Sequence, residues 1–399
     1  MLANRVYKTI FKHHLSRERQ MVFVTGPRQV GKTTTCRACG TDYLNWDDPE
    51  AQRVIAQGGK ALADRLNLQL ARASLPIVVL DEIHKYARWK NCLKGFFDMQ
   101  AEHCRVIVTG SSRLDVYHRG GDSLMGRYFL YRMHPLSVGE LIRTTLPSER
   151  LVHPPGKISE TDWQALRTHG GFPEPFLRRE ASFTQRWVSL RLRQLTREDV
   201  RENSTIQRIS LMEIMTQILS ERSSCQLTYA SLGREVGISP PTVVPWLNML
   251  ESLHFGFTVR PWFRSIANAI RKEPKWYLRD WSSIKDPGAR NETMVACHLL
   301  KSVEGWTDLG LGEFALHYMR TKQQQEIDFV ISRDGQPWCL VECKTSETRI
   351  SDSLVTMAKR LSAPHAIQVV MDLPYEEVDC FSYKRPMVVP ARTFLSQLM

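Results

Sequence analysis

The chain has 399 residues, 42% of them hydrophobic and 24% charged, with a formal net charge of +12. That length exceeds one ordinary core and implies roughly two to four domains, and the composition is that of a soluble globular protein. No apolar run approaches the roughly 18 residues of a membrane span, and the N-terminus lacks a signal peptide's apolar core, so a cytoplasmic protein with no membrane partner is expected.

The nine cysteines are odd in number, and a disulfide framework is not expected in that compartment. Cys36 and Cys39 form a C-x-x-C with no second pair elsewhere, so helix packing is expected rather than zinc or redox work. The positive balance permits contact with DNA, RNA or another polyanion.

Residues 1–20 read as a helix with Ile10, Phe11 and Leu15 as apolar positions, and residues 21–24 as a buried strand. Next comes Gly26-Pro27-Arg28-Gln29-Val30-Gly31-Lys32-Thr33-Thr34, which fits G-x-x-x-x-G-K-[ST] without a mismatch, and a helix start follows at Lys32. The two glycines permit turn conformations that side chains block, and successive N–H groups then point at an anion beside the helix N-terminus. Lys32 is placed for the β- and γ-phosphates of ATP and Thr33 for Mg²⁺. These nine residues are the expected nucleotide site.

Residues 41–49 suggest a strand ending in an acidic turn, with a helix to about Leu70. The run from Leu75 to Leu80 reads as a parallel strand buried on both faces and tipped by Asp81 and Glu82 at the end that faces a ligand crevice. Asp81 is the candidate Mg²⁺ carboxylate, and Glu82 the candidate to orient or deprotonate the attacking water. A third buried strand, from Arg105 to Thr109, ends in small polar residues; Ser111 is the hydroxyl assigned to the γ-phosphate or the water. Arg127, before a further strand, is the candidate trigger arginine, in cis or across a subunit boundary.

GPRQVGKTT, DDPE, VVLDEIHKY, VTGSSR, GRYFLYRMHPLSVGEL and, further on, GGFPEPF together closely resemble a family of prokaryotic AAA-type P-loop ATPases. Members carry a C-terminal domain of unknown function related to restriction-endonuclease-like folds. The resemblance covers essentially the whole chain and implies an ATPase core followed by a helical lid.

Residues 147–156 are proline-rich and read as a surface connection. Residues 176–203 are rich in arginine interleaved with Trp187, Leu190, Leu192 and Leu195, which suits a solvated basic helix face or a face for nucleic acid or a subunit. Between Thr228 and Leu253 the pattern is helix-turn-helix, with Gly237 as the turn and Ser239 as an N-cap before two prolines. Strands at residues 255–260 and 275–279 would complete a winged helix. Its second helix carries no Arg or Lys, so packing competes with DNA reading as its role.

The last part reads as α-β-β-β-α-β. Glu342 and Lys344 fall on one strand face, Asp328 lies on the preceding strand, and Glu292 lies on the leading helix. This set resembles the D…E-x-K core of restriction-endonuclease-like nucleases, which implies catalytic roles for all four residues and a metal on Asp328 and Glu342. A structural Glu342–Lys344 salt bridge is the competing reading.

The expected fold is α/β: a P-loop NTPase (AAA-type) parallel sheet over 1–145, a helical lid or linker over 146–204, a winged-helix-like domain over 205–285, and a restriction-endonuclease-like α/β domain over 286–399. The expected function is Mg²⁺-dependent ATP hydrolysis that regulates a nuclease-like domain acting on DNA or RNA, with a homo-oligomer allowed. The alternative is an ATP-dependent switch that binds protein or DNA through a catalytically inactive nuclease-like domain.

Overall fold

A computed structural model describes residues 4–110, 124–147, 150–196, 209–263, 273–321 and 325–399. Contacts divide the chain into two units: residues up to His134 together with 144–146, and residues 135–143 together with 147–399.

The first unit is built on a parallel sheet of five strands: β1 (Met21–Thr25), β2 (Asp42–Asn45), β3 (Ile77–Asp81), β4 (Arg105–Thr109) and β5 (Tyr128–Arg132), in the order β2-β3-β4-β1-β5. Because every strand is parallel, all C-terminal ends lie along one edge of the sheet, where a ligand crevice forms. β1 is buried throughout, as its unbroken apolar run requires. One face packs Met21, Phe23, Val78, Leu80, Val106 and Val108 against α3 (Pro49–Ala56), α4 (Gly59–Arg65) and α5 (Trp89–Gln100). On the other face α1 (Val6–Arg17) sets Phe11 and His14 against Tyr131, while α2 (Lys32–Arg37) follows the turn after β1. The helix expected up to Leu70 is instead two short ones. Gly58, at φ +99°, breaks it, a conformation that L side chains rarely adopt.

In the second unit, α6 (Val138–Ile142), α7 (Glu160–His169), α8 (Pro173–Arg178), α9 (Ala181–Gln194) and α10 (Ile209–Glu221) precede strand β6 (Cys225–Gln226). Then come α11 (Tyr229–Val236), α12 (Pro240–Ser252), β7 (Gly256–Pro261), β8 (Lys275–Leu278), α13 (Pro287–Asp308), β9 (Phe314–Arg320), β10 (Glu326–Arg333), β11 (Gln336–Lys344), α14 (Asp352–Leu361), β12 (His365–Val370), β13 (Met387–Pro390) and α15 (Ala391–Ser396). Gly237 at φ +79° ends α11, and Pro240 and Pro241 open α12 as expected. Ser239 differs, since its hydroxyl bonds Thr242 Oγ1 at 2.7 Å and makes no cap to a backbone N–H.

One sheet of eight strands runs through this unit in the order β13-β12-β11-β10-β9-β7-β8-β6. The hairpin expected to be the wing of a separate domain pairs through β7 in parallel with β9, Arg260 opposite His317, so the two regions divided at residue 285 share one sheet. Residues 135–143 also fall on the far side of the boundary expected at 145. Within the second unit Glu140 and Lys301 form a buried ion pair at 2.5 Å, and Ser137 donates to the Met399 carbonyl at 2.7 Å. A Cβ on Gly139 would come within 2.1 Å of the Leu398 carbonyl oxygen, so that packing needs glycine.

Several arginines of the 176–203 segment serve the unit's own packing. Arg191 lies over the Phe172 ring at 4.0 Å, 3.9 Å from Asp280, and Arg179 pairs with Asp162. Arg186 and Arg193 are exposed, and Arg197 and Arg201 lie outside the described residues. Among the described residues no helix is long and apolar enough to cross a membrane.

Candidate functional site

The phosphate loop closes the C-terminal end of β1. Gly26 takes φ +142°, and a Cβ there would sit 2.2 Å from the Met133 carbonyl oxygen, so glycine is required twice over. Gln29 (φ 62°) and Gly31 (φ +98°) are also left-handed, which curls the backbone into α2. Arg5 braces this curl from outside, its guanidinium donating to the Val30 and His134 carbonyls, both at 2.6 Å.

Lys32 is buried, and its ammonium donates to the Gly26 and Pro27 carbonyls at 2.7 and 2.9 Å. Burial pulls it down to about 8, against the opposing influence of Glu82 and Asp81. An ammonium held by loop carbonyls is a cation already positioned where the loop faces an anion. Thr33 and Thr34, at the helix start, are exposed.

Asp81 ends β3 and is 2% exposed. Its Oδ2 accepts from the Tyr43 hydroxyl at 2.8 Å, while its Oδ1 is buried without a hydrogen-bond partner among the described residues. Thr109, its register partner on β4, likewise has a buried Oγ1 without a partner. Two orphaned oxygens at the crevice end of adjacent strands imply a ligand that uses them, because leaving such groups unmet is costly. The Thr33 hydroxyl and the Asp81 carboxylate are both hard-oxygen donors, the type that suits Mg²⁺.

Glu82 follows in a left-handed conformation (φ 55°), with its N–H donating to the Thr109 carbonyl at 2.9 Å. The carboxylate lies 3.5 Å from Lys85 Nζ and 3.7 Å from His84 Nε2. Burial raises its pKa, while the Lys85 charge opposes the shift. Lys85 is itself anchored at 2.7 Å to Asp47 of the acidic turn, and Asp48 caps α3 through the Glu50 N–H at 3.0 Å.

Residues 18–142 match the family model of an AAA domain. That match takes in most of the first unit and runs on into residues 135–142 of the second. The model of a domain of unknown function, DUF8612, matches residues 160–284, and that of another, DUF4143, matches residues 287–389. Two uncharacterized proteins, from Mycobacterium bovis and Mycobacterium tuberculosis, are each 23% identical over 342 residues, covering 84% of this chain and 72% of theirs. AMPPCP-bound DnaA from Aquifex aeolicus overlaps 63% of this chain and 88% of its own at 12% identity and a TM-score of 0.29, a likeness too slight to carry an argument.

Within the first unit, Arg127 is not brought to the phosphate loop. Its carbonyl accepts from the Met21 N–H, so it lies at the N-terminal end of β1, about 13 Å of strand from Thr25. Its guanidinium forms a bidentate pair with Asp98 at 2.7 and 3.0 Å. A cis trigger role for Arg127 is therefore corrected. Ser111 lies outside the described residues. Cys36 and Cys39 are both buried thiols pushed up in pKa by that burial, as packing residues are.

The second unit gathers the C-terminal candidates differently from expectation. Glu342 and Lys344 do share a strand face and pair at 2.9 Å, the salt bridge of the competing reading. Glu292 and Asp328 are drawn instead to Lys275 of β8, whose Nζ lies 3.3 Å from Glu292 Oε1 and 3.8 Å from Asp328 Oδ1 and is bonded to Glu326. Tyr277 donates to Glu292 Oε1 at 2.7 Å, and the Cys343 N–H donates to Asp328 Oδ2 at 2.9 Å. Among the described residues no group of three His, Cys, Asp or Glu is placed to hold a metal ion. The metal assignment to Asp328 and Glu342 is thus corrected: a lysine ammonium stands among the carboxylates.

Thr109, Tyr43, Arg5 and Lys275 were not among the expected site residues. Lys275 had one signal, a charged residue opening the otherwise apolar run Trp276-Tyr277-Leu278, which reads as a buried strand.

Proposed function

We propose that the chain is a Mg²⁺-dependent ATPase whose second unit is a binding module. The loop from Gly26 to Thr34 holds the phosphates, Lys32 neutralises the β- and γ-oxygens, and Thr33 with Asp81 holds Mg²⁺. Glu82 orients the attacking water and takes its proton, and the Thr109 hydroxyl, beside Asp81, hydrogen-bonds the γ-phosphate or that water. Bound Mg²⁺ would supply charge neutralisation of the developing oxyanions. The observation that carries this reading is the pair of orphaned buried oxygens, Asp81 Oδ1 and Thr109 Oγ1, at the crevice end of the sheet that bears the phosphate loop.

For the output we favour the ATP-dependent switch over the nuclease, because Lys275 stands among the carboxylates that a nuclease would give to a metal. The helix–strand–helix–helix–strand–strand order from α10 to β8 supports a winged-helix-like arrangement, and the net charge of +12 supports nucleic acid as what it contacts. Phosphate release from ATP by wild type and by Lys32→Ala tests the first half. Mg²⁺-dependent turnover abolished in the variant is expected, and wild type that neither binds nor hydrolyses ATP would overturn it.

A further inference from the structure

We propose that the acidic set of the second unit is a closed cation site, in which the Lys275 ammonium occupies the position a hard divalent cation would take. This goes beyond the ATPase reading and does not depend on it, since the residues involved belong to the other unit.

Four elements converge on the position. β8 supplies Lys275, which is 5% exposed, α13 supplies Glu292, β10 supplies Glu326 and Asp328, and β11 supplies the N–H that fixes Asp328. Asp328 is aimed by a break in register: β10 pairs with β9 at Ile327 and next at Val330, so the strand bulges at the aspartate. Such bulges occur where a side chain must be redirected. Three carboxylates thus surround one ammonium. Arg320 stands 3.7 Å from the far oxygen of Glu326, and Asp328 is raised to about 7 by burial and then by Glu292.

A second observation points to a cation independently of the Lys275 contacts. Glu342 is 5% exposed, and its Oε2 is buried with no hydrogen-bond partner among the described residues. The antiparallel register that sets Phe329 opposite Val341 brings Glu342 beside Asp328, while the other Glu342 oxygen pairs with Lys344 at 2.9 Å. Carboxylate oxygens are the donors that Mg²⁺ or Mn²⁺ takes, yet with the ammonium between them no three of these groups among the described residues are placed to hold a metal ion. The tethered ammonium satisfies part of that demand at no translational cost and excludes the free ion.

The test uses the full chain without nucleotide, in an Asp81→Asn background that silences the AAA-domain metal site, with Mn²⁺ as the probe followed by electron paramagnetic resonance. The parent is expected to bind no Mn²⁺ that Asp328→Asn removes, up to about 1 mM, the weak end of protein cation sites. Lys275→Met is expected to take up one equivalent at least about tenfold more tightly than the parent and to lose it when Glu292→Gln is added. Because Lys275→Met frees buried charge, Lys275→Met/Glu326→Gln is the second variant, with folding followed by circular dichroism. Parent binding abolished by Asp328→Asn would overturn the proposal, as would a folded lysine variant no better at binding than the parent.

Discussion

Gly26→Ala perturbs the phosphate loop through a single methyl group. The added Cβ would lie 2.2 Å from the Met133 carbonyl oxygen, whereas a close carbon–oxygen contact is about 3.3 Å, so the loop must retreat by roughly 1 Å. The φ of +142° adds backbone strain of about 1–3 kcal/mol. A displacement of that size in phosphate-facing N–H groups corresponds to a loss of about 10–100-fold in ATP affinity, or about 1.4–2.7 kcal/mol. Isothermal titration with ATP, beside thermal melting to confirm folding, reads the effect. Gly58→Ala is the control: its φ of +99° is strained too, but nothing lies within 4 Å of the new methyl, and it caps α4 away from the loop. A Gly26→Ala protein that binds ATP like wild type would refute the steric argument.

Tyr43→Phe removes the hydroxyl that donates to Asp81 Oδ2 and leaves a buried carboxylate short of a partner, so urea unfolding should show a loss of about 1–3 kcal/mol; no loss would mean the bond does not hold Asp81. Lys32 titrates near 8 because burial lowers it, and bound phosphates would raise it, so ATP affinity is full below pH 8 and should fall above it by up to about tenfold per pH unit. A flat profile from about pH 7 to 9.5 would contradict this. Asp328 is raised to about 7 by burial and Glu292, against an ordinary value of about 3.9 when unfolded. The folded state therefore holds that proton more tightly, and the stabilisation is full below about pH 4 and lost as pH rises through 7. Asp328→Asn should flatten the melting profile across that window, and an unchanged slope would count against the assignment.

The phosphate loop was legible because its requirements are local: two glycines for backbone shape, a lysine and a threonine at a helix start. The strand ending at Asp81 was legible as an unbroken apolar run with charge at its tip. What completes the site comes from distant sequence. Tyr43 reaches Asp81 from a neighbouring strand, Arg5 reaches the carbonyl of His134 near the end of the unit, and Thr109 matters because strand register sets it beside Asp81. Arg127 was misplaced although a signal existed, since a residue before a parallel strand lies at the end away from the ligand crevice. The C-terminal order from α13 to β12 was readable from periodicity, whereas β13 and α15 were not expected. That β8 would bring Lys275 among its carboxylates was not, because periodicity assigns faces within a strand and says nothing of which strands become neighbours. Residues 135–143 follow an apolar strand without a break, and contacts such as the buried Glu140–Lys301 pair and the Ser137 bond to the Met399 carbonyl place them in the second unit.

The central claim is that Asp81 and Glu82 make the phosphate loop a hydrolytic site. Single-turnover hydrolysis of radiolabelled ATP by Glu82→Gln, with ATP affinity measured on the same protein, tests it most directly. Near wild-type ATP binding is expected, with hydrolysis slowed at least about 100-fold, the loss that follows removal of a general base. Wild-type turnover by the folded variant would contradict it.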